Sequence, residues 1–412
     1  MAAGNAGSRD VAITGLGLLT PAGIGVRANW ERVCSGVSCA DTDESLEGLE
    51  VDFTCRVPGF DPTVLLGRFA AWQIERFVQL AIVATRQALQ DAGLDPKTWD
   101  GTRVSVVLGN SLGGAGTFER QYRTLQQDGP TQVSPLMIPM FMVNMVAGYV
   151  AIDCSATGPS LVTATACASG TTAIGTAREL LRSDACDVAI AGGTESALTP
   201  CMMAGLNRMG ALSRRREDPA AASRPFDAER DGFVAAEAAG VLVLERAADA
   251  RARGAPVRAL VRGFAAASDA HHATAPAPSG HGIERAVLVA LADAGIDPTE
   301  VDHINAHGTS TPLNDLTEGR VLQRVFGRRP AVTSTKGVTG HALAAAGAIE
   351  AAYTTLTLQH GIVPPTANLK NQDPEIDLDV VSDAPRQLPV EVAMSTSLGF
   401  GGHNAALVLT ST

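Results

Sequence analysis

The chain has 412 residues, of which 45% are hydrophobic and only 4% aromatic, and its formal net charge is −11. A chain of this length and composition can bury a large core, so disordered and fibrous proteins are excluded. The acidic balance, with no basic cluster beyond the run Arg214–Arg216, argues against a nucleic-acid partner. A local basic patch would still suit an acidic protein partner.

The sequence indicates neither export nor membrane insertion. The N-terminus, MAAGNAGSRDVAITG, lacks the charged-then-apolar pattern of a signal peptide. The most apolar run, residues 136–152, is interrupted by Pro139 and Asn144 and is too short to span a bilayer. Seven cysteines at irregular spacings, without a Cys-x-x-Cys pair, argue against a disulfide framework and against a zinc site. We therefore expect a cytoplasmic protein with no membrane partner.

Runs of β-branched and apolar residues, bounded by glycine or polar residues, predict buried strands along the whole chain. In chain order they lie at residues 10–19, 103–111, 160–167, 187–193, 239–245, 257–265, 301–309, 331–335 and 404–410. Helical runs lie between them, at residues 77–93, 169–183, 283–295 and 343–359. This alternation predicts α/β layers in which helices cover both faces of the sheet.

One stretch of the chain is echoed later. ALQDAGLDP, residues 88–96, returns as ALADAGIDP, residues 290–298. In both places a helical run ends at a glycine suited to a helix C-cap, and a strand-like run follows, which favours internal duplication over chance similarity. No Pro/Ser-rich linker divides the chain, so the N-terminal half, residues 1–250, and the C-terminal half, residues 251–412, are expected to pack as one unit.

The segment from Ser111 to Gly148 fits this alternation poorly and contains four of the nine methionines. Methionine is flexible and fills irregular apolar surfaces. Three interpretations stay open for this segment: it lines a site for a flexible apolar substrate, it forms a subunit interface, or it packs in the core.

The most distinctive cysteine is Cys167, which lies in TATACASG where a strand-like run passes into a predicted helix N-terminus. Free backbone N–H groups and the helix dipole at such a position lower the pKa of a thiol and stabilise negative charge. The small neighbours Ala166, Ala168 and Ser169 let backbone and substrate approach closely. We predict that Cys167 is a nucleophile and that the other six cysteines are small buried residues.

Two of the eight histidines occupy turns like that of Cys167. His307 lies in NAHGTSTPLND, and His341 lies in STKGVTGHALAAAGAIE together with Lys336, one of only three lysines among 32 basic residues. Two such histidines, without a carboxylate cluster or a His-Glu-x-x-His pattern, suit stabilisation of an enolate or carbonyl oxygen better than zinc binding. A hydrolase stays open at this point.

The last glycine-rich run, TSLGFGGHNAALVL, must turn tightly at Gly399, Gly401 and Gly402. Such a turn leaves backbone N–H groups free to face a site and holds Phe400 at a mobile tip. A plain turn between two strands is the alternative.

The blocks around Cys167, His307 and His341, with GFGGHN from Gly399, resemble the four signature blocks of the β-ketoacyl-[acyl-carrier-protein] synthases. The resemblance is to the type II elongating branch, which has one cysteine and two histidines, and it extends in order over nearly the whole chain. It implies an α/β, thiolase-like fold with two duplicated five-layered (αβαβα) halves, and a dimer formed across the N-terminal halves.

The same resemblance implies an acyltransferase. Cys167 would take an acyl chain from acyl-carrier protein as a thioester, with its own N–H and that of Phe400 forming the oxyanion hole. His307 and His341 would assist decarboxylation of malonyl-carrier protein and hold the enolate, and Lys336 would supply fixed positive charge. No cofactor and no catalytic metal are implied. The resemblance also implies that Phe400 gates the acyl pocket, with Gly399 and Gly401 beside it at the oxyanion hole and gate. The supporting residues that it implies are Thr309, Thr311 and Glu350.

Some positions depart from the family pattern. Thr396, Ser397 and Leu398 stand where Asn-Ser-Phe is common, which bears on the gate before the acyl pocket. The acyl pocket implied by the resemblance includes Leu112, Met140, Phe141 and Leu398.

The region that carries a basic docking helix in fatty-acid synthases of this type reads GRFAAWQIERF here. It keeps Arg68 and Arg76 but places Trp72 and Gln73 between them. The carrier protein, acyl chain and partner subunit are therefore left open by the sequence.

Two variants of the reaction are consistent with these residues: homodimeric fatty-acid elongation, and specialised polyketide or polyene synthesis with a cysteine-less chain-length-factor subunit. The departures favour the second modestly. A non-catalytic chain-length-setting subunit is disfavoured by the intact Cys167, His307 and His341. A thioester hydrolase would be indicated by release of free acids without consumption of malonyl groups.

Overall fold

A computed structural model describes residues 10–412, so the N-terminal residues 1–9, where the sequence predicts no secretion signal, lie outside the described range. In that range the strands are β1 (Val11–Thr20), β2 (Gly23–Ile24), β3 (Asp41–Thr42), β4 (Phe53–Thr54), β5 (Val104–Gly109), β6 (Ser160–Thr163), β7 (Val188–Glu195), β8 (Ala238–Arg246), β9 (Ala259–Ser268), β10 (His303–Asn305), β11 (Ala331–Thr333), β12 (Ile362–Val363), β13 (Asp379–Val380), β14 (Arg386–Gln387), β15 (Val392–Gly399) and β16 (His403–Thr410). The helices are α1 (Val26–Ser35), α2 (Pro62–Leu66), α3 (Arg68–Gln73), α4 (Arg76–Ala92), α5 (Ala115–Asp128), α6 (Met137–Phe141), α7 (Met145–Cys154), α8 (Ser169–Arg182), α9 (Pro200–Arg208), α10 (Ala247–Ala252), α11 (His281–Ala294), α12 (Pro312–Phe326), α13 (Lys336–Thr339) and α14 (Ala346–His360).

The two halves of the main sheet have the same arrangement of strands. Its strand order is β13-β11-β10-β15-β16-β9-β1-β8-β7-β5-β6, with β2 beside β1. In the first half, β5 is parallel to β6 and β7, and β8 is antiparallel to β7 and β1. In the second half, β10 is parallel to β11 and β15, and β16 is antiparallel to β15 and β9. The two halves meet where β1 and β9 pair antiparallel.

The repeated stretches occupy equivalent places in the two halves. Residues 88–96 span the end of α4, and residues 290–298 span the end of α11. Gly93 (φ 66°) and Gly295 (φ 68°) adopt the left-handed conformation that ends each helix, as predicted. The internal duplication and the thiolase-like α/β fold are confirmed; the boundary at residue 250 stays a prediction.

The helices complete five layers, αβαβα, which the two halves form together rather than each half alone. Helices α4 and α7 cover the outer face of the first half-sheet, and α11 and α12 cover that of the second. Helices α8 and α14 lie between the half-sheets and contact strands of both. They approach closely at two glycines: a Cβ on Gly170 would lie 2.7 Å from the Ala348 nitrogen, and one on Gly347 would lie 2.0 Å from Thr171 Oγ1.

The segment from Ser111 to Gly148 forms α5, α6 and the start of α7. None of its four methionines, Met137, Met140, Met142 and Met145, is buried. Core packing is therefore the wrong interpretation of these methionines, and a surface function is left. No helix in residues 10–412 is both long enough and apolar enough to cross a bilayer.

Candidate active site

Cys167 lies at a sharp turn between a strand and a central helix. Strand β6 ends at Thr163, a short 3-10 turn spans Ala166–Ala168, and α8 begins at Ser169. Ala166 has φ +48°, a left-handed conformation that is uncommon for a residue with a Cβ. The predicted placement of Cys167 between a strand and a helix N-terminus is confirmed.

The structure brings Cys167 together with both histidines singled out from the sequence. His341 Nε2 lies 3.1 Å from Cys167 Sγ. The rings of His307 and His341 stand edge to face, with centroids 5.2 Å apart. One ligand-type atom from each of the three residues lies within 4.8 Å of the others, and all three residues are buried. A thiol and two imidazoles can therefore act on the same bound group.

Burial controls the ionisation of these three groups. It raises the pKa of Cys167 to about 12, although the Lys336 charge and a hydrogen bond from the Phe400 backbone act in the opposite direction. Burial also holds the pKa of His307 and of His341 well below the usual value, and Lys336 lowers both further. The predicted lowering of the thiol pKa is wrong, because desolvation outweighs the Lys336 charge and the Phe400 hydrogen bond. The resting site contains a neutral thiol and two neutral imidazoles.

Lys336 is placed to hold His307 from behind. Its ammonium group donates a 2.6 Å hydrogen bond to the carbonyl oxygen of His307 and contacts the carboxylate of Glu350. The side chains of Lys336 and Glu350 are each only 1% exposed. Burial raises the pKa of Glu350, and the Lys336 charge opposes that rise.

A second carboxylate, which was not predicted from the sequence, fixes the same loop from the other side. Glu318, on α12, accepts hydrogen bonds of 2.8 Å from the backbone N–H groups of both His307 and Gly308. Thr396 Oγ1 donates to Glu318 at 2.7 Å and accepts from the His307 N–H at 3.2 Å. Glu318 follows His307 by only eleven residues. The one sequence signal that bears on this contact is therefore the polar stretch at the start of α12.

The glycine-rich turn after β15 lies against Cys167. A Cβ on Gly399 would lie 2.6 Å from the Thr165 carbonyl oxygen and 3.1 Å from the Cys167 nitrogen, so only glycine fits there without displacement. Gly401 has φ +82°, and its N–H donates to the Ala273 carbonyl at 2.7 Å. The turn is therefore closely joined to the loop that follows β9.

A cavity of about 330 Å³ leads from the surface to this centre. Thr309 and Thr311, whose hydroxyls lie 2.9 Å apart, line its wall. Other lining residues are Cys167, His307, His341, Leu398, Gly399 and Phe400 at the base, and Met209, Pro312 and Leu313 at the mouth.

Only one of the four predicted pocket residues lines this cavity. Leu398 does, whereas Leu112 packs against the central core. Met140 and Phe141 lie on α6, and the Phe141 ring packs on Phe118 with centroids 5.4 Å apart. The structure therefore places Leu112, Met140 and Phe141 outside the cavity that reaches Cys167.

Comparison with models of known protein families identifies the family to which the chain belongs. The model of the β-ketoacyl synthase N-terminal domain matches residues 8–250, and that of the C-terminal domain matches residues 258–370. The chain belongs to the β-ketoacyl synthase family. A 3-oxoacyl-[acyl-carrier-protein] synthase 2 of Synechocystis sp. is 43% identical over 410 residues, covering 98% of each chain.

Solved structures of β-ketoacyl synthases share the whole fold. The ishigamide ketosynthase/chain length factor superposes with a TM-score of 0.92 at 32% identity, covering 98% of this chain and all of that one. A type II PKS ketosynthase solved in complex with its acyl-carrier protein has a TM-score of 0.90 at 33% identity, with the same coverage.

Proposed function

We propose that this β-ketoacyl synthase is a 3-oxoacyl-[acyl-carrier-protein] synthase. It joins an acyl chain held on Cys167 to a malonyl group on acyl-carrier protein by decarboxylative Claisen condensation. The observation that carries the proposal is the grouping of one thiol with two neutral imidazoles at the base of a cavity.

The first step is transfer of the acyl chain. As Cys167 Sγ attacks the carrier thioester, His341 Nε2, at 3.1 Å, accepts the thiol proton. The N–H groups of Cys167 and Phe400 stabilise the oxyanion of the tetrahedral intermediate. The carbon–sulfur bond to the carrier then breaks, and His341 returns the proton to the leaving sulfur. Because thiol and imidazole are both neutral at rest, proton transfer accompanies attack.

The second step forms the carbon–carbon bond. The malonyl thioester loses CO₂, and the electron pair of the broken bond moves onto the thioester oxygen as an enolate. His307 donates a hydrogen bond to that oxygen, and His341 does so as the neutral tautomer with its proton on Nε2, rather than the Nδ1 tautomer that accepts the thiol proton in the first step. Neutral imidazoles can donate in this way without a strong base. The enolate carbon attacks the Cys167 thioester, and the departing sulfur takes up a proton from solvent. The product is 3-oxoacyl-carrier protein, two carbons longer.

No metal and no cofactor enter these steps. Cys167, His307 and His341 form a donor set of the kind that binds zinc. The buried Lys336 charge, however, lowers the pKa of both imidazoles, and the same charge repels a divalent cation. Dialysis against a chelator is therefore expected to leave the activity unchanged.

The carrier protein docks beside the cavity mouth. Arg208 is exposed next to the mouth residue Met209, and in the described part of the chain neither Arg208 nor Arg68 has an acidic partner. Arg76 does not serve this purpose, because Glu237 binds it through two hydrogen bonds of 2.7 Å. An acidic carrier would supply the missing charge.

The protein acts as a dimer, with a second copy or with a chain-length-factor-like subunit. Helices α5 and α6 expose an apolar surface, which we call the α5–α6 face and which includes Phe118, Tyr122, Ile138, Phe141 and Met142. Strand β6, in the same half, is one of the two edge strands of the main sheet. Fatty-acid and type II polyketide synthesis both stay open as the pathway. The seven cysteines, all free thiols, fit the reducing cytoplasm.

The proposal is tested by the intact mass of the protein after incubation with acyl-carrier proteins of differing chain length and saturation. An acyl adduct that Cys167→Ala abolishes supports it and identifies the preferred chain. With malonyl-carrier protein, Cys167→Gln should still release CO₂, whereas His307→Ala should not. Release of free acids without malonyl consumption would instead indicate a thioester hydrolase. Absence of an adduct with every carrier, including after co-purification of any partner subunit, would refute the proposal.

A further inference from the structure

The peptide unit that joins Ala166 to Cys167 is held in an unusual conformation. Ala166 has φ +48°, which L-residues with a side chain avoid because the Cβ crowds the backbone. Such a conformation persists only when its surroundings determine it. The contacts that hold Ala166 in this conformation therefore bear on how the active site is built.

Two serine hydroxyls anchor the carbonyl end of this peptide. Ser169 Oγ donates a 2.6 Å hydrogen bond to the Ala166 carbonyl oxygen, and Ser111 Oγ donates to the same oxygen at 3.2 Å. The Ser169 hydroxyl is itself fixed, since it is fully buried and accepts the Thr165 N–H at 2.9 Å. The two hydroxyls lie 3.0 Å apart.

Ser111 is fixed in turn by a buried carboxylate. Glu195, at the end of β7, accepts the backbone N–H of Ser111 at 3.1 Å and that of Leu112 at 3.2 Å. Glu195 also accepts the Asn110 amide at 3.0 Å and is fully buried. The Ala166 carbonyl is thus connected to the rigid ends of two sheet strands.

The opposite end of the same peptide is the Cys167 N–H. A peptide unit is planar and trans, so its carbonyl and its N–H point in opposite directions. Fixing the Ala166 carbonyl therefore fixes the direction of the Cys167 N–H. In residues 10–412 this N–H donates to no backbone or side-chain oxygen, and the missing side chain of Gly399 leaves open space beside it.

We propose that Ser169, assisted by Ser111, is a positioning residue that aims the Cys167 N–H into the oxyanion hole. This inference rests on the proposed function. An N–H oriented before reaction stabilises the oxyanion without any cost of reorientation during the step. The serines therefore accelerate acyl transfer to Cys167 and bond formation at its thioester, without touching the substrate.

The test compares two reactions of the same thiol. Self-acylation by acyl-carrier protein passes through an oxyanion, whereas iodoacetamide alkylates Cys167 by displacement at a saturated carbon and forms none. Ser169→Ala should slow self-acylation about 10- to 100-fold, somewhat less than loss of an oxyanion donor itself, and leave alkylation of Cys167 within about twofold. Ser111→Ala should have a smaller effect in the same direction. The KM for the acyl-carrier protein should not change in either variant.

The matched control is Thr176→Ala, which removes a hydroxyl from the same helix that bonds only to the Thr172 carbonyl. It should leave both reactions unchanged, and Ser169→Thr, which keeps the hydroxyl, should restore acylation. Equal loss of acylation and alkylation in both Ser169→Ala and Ser111→Ala would overturn the inference, since it would indicate general damage. Normal acylation in both would overturn it as well. Failure of the unsubstituted protein to acylate would instead refute the proposed function.

Discussion

The ammonium group of Lys336 donates a 2.6 Å hydrogen bond to the carbonyl oxygen of His307 and contacts Glu350 in a fully buried setting. Each of the two charges is tolerated there only because the other is present. The pair also holds the His307 loop on its carbonyl side, while Glu318 holds the N–H side. The loop that carries His307 is thus fixed by charged groups from both directions.

Removing one partner of this pair should be costly. Lys336→Met leaves the Glu350 carboxylate buried without its counter-ion, so we expect the free energy of unfolding to fall by about 3–5 kcal/mol. Urea denaturation at pH 7.5 measures it. The exposed pair of Arg27 and Glu31 supplies the control, since Arg27→Met should leave the urea midpoint unchanged.

A double variant separates the contribution of the two charges to stability from that of side-chain packing. Lys336→Met combined with Glu350→Leu should recover a substantial part of the lost stability, because no uncompensated charge then remains buried. An unchanged urea midpoint for the single variant would show that the pair contributes nothing.

The pH dependence of decarboxylation should be flat where histidine normally titrates. His307 and His341 have pKa values held well below the usual value by burial and by Lys336, so both stay neutral as pH falls through 6.5. A neutral donor is lost only below its lowered pKa. For Cys167→Gln, CO₂ release from malonyl-carrier protein should change less than about twofold between pH 6 and 8.5. A half-maximal rate near pH 6.5 would contradict neutral histidines.

Local patterns predicted two similarly folded α/β halves and singled out Cys167, His307 and His341, while their action at one centre was implied by the family resemblance. Each of these residues follows a strand-like run, and the carboxyl ends of equivalent strands meet in a duplicated α/β protein. The Glu318–Thr396 contact was not predictable, because it joins a helix to a strand far apart in sequence. The raised pKa of Cys167 was missed for a similar reason, since its burial is provided by distant parts of the chain.

Thr396, one of the departures from the family pattern, is expected to position His307. Its hydroxyl donates to Glu318 and accepts the His307 N–H, so Thr396→Val removes both contacts at nearly constant volume. Decarboxylation should slow about tenfold, equivalent to ~1.4 kcal/mol, while self-acylation of Cys167 is unchanged. Thr396→Ser should restore the rate. Equal slowing of both half-reactions would contradict a role directed at His307.

Gly399 is expected to be essential for acyl transfer. An added methyl group would lie 2.6 Å from the Thr165 carbonyl oxygen and 3.1 Å from the Cys167 nitrogen, so Gly399→Ala must displace the turn that carries Phe400. Self-acylation, followed by intact mass, should fall at least about 100-fold. Gly205→Ala is the control, because a methyl group on that α9 residue would meet no atom within 4 Å. If Gly399→Ala were acylated at the normal rate, the oxyanion would not be bound by the N–H groups of Cys167 and Phe400.

Met140 and Phe141 are expected to stabilise a dimer. The family resemblance implies that they belong to the acyl pocket, but both lie outside the cavity, and Phe141 is 37% exposed on the α5–α6 face. Apolar side chains at the centre of an interface contribute most of its binding energy. Met140→Ala combined with Phe141→Ala should therefore weaken self-association by at least about tenfold, measured by sedimentation equilibrium, and leave the acyl-chain preference unchanged. The control is Leu288→Ala, which removes an exposed apolar side chain from α11, in the other half. If the double variant accepted longer acyl chains while its dimer was unaltered, Met140 and Phe141 would instead be residues of the acyl pocket.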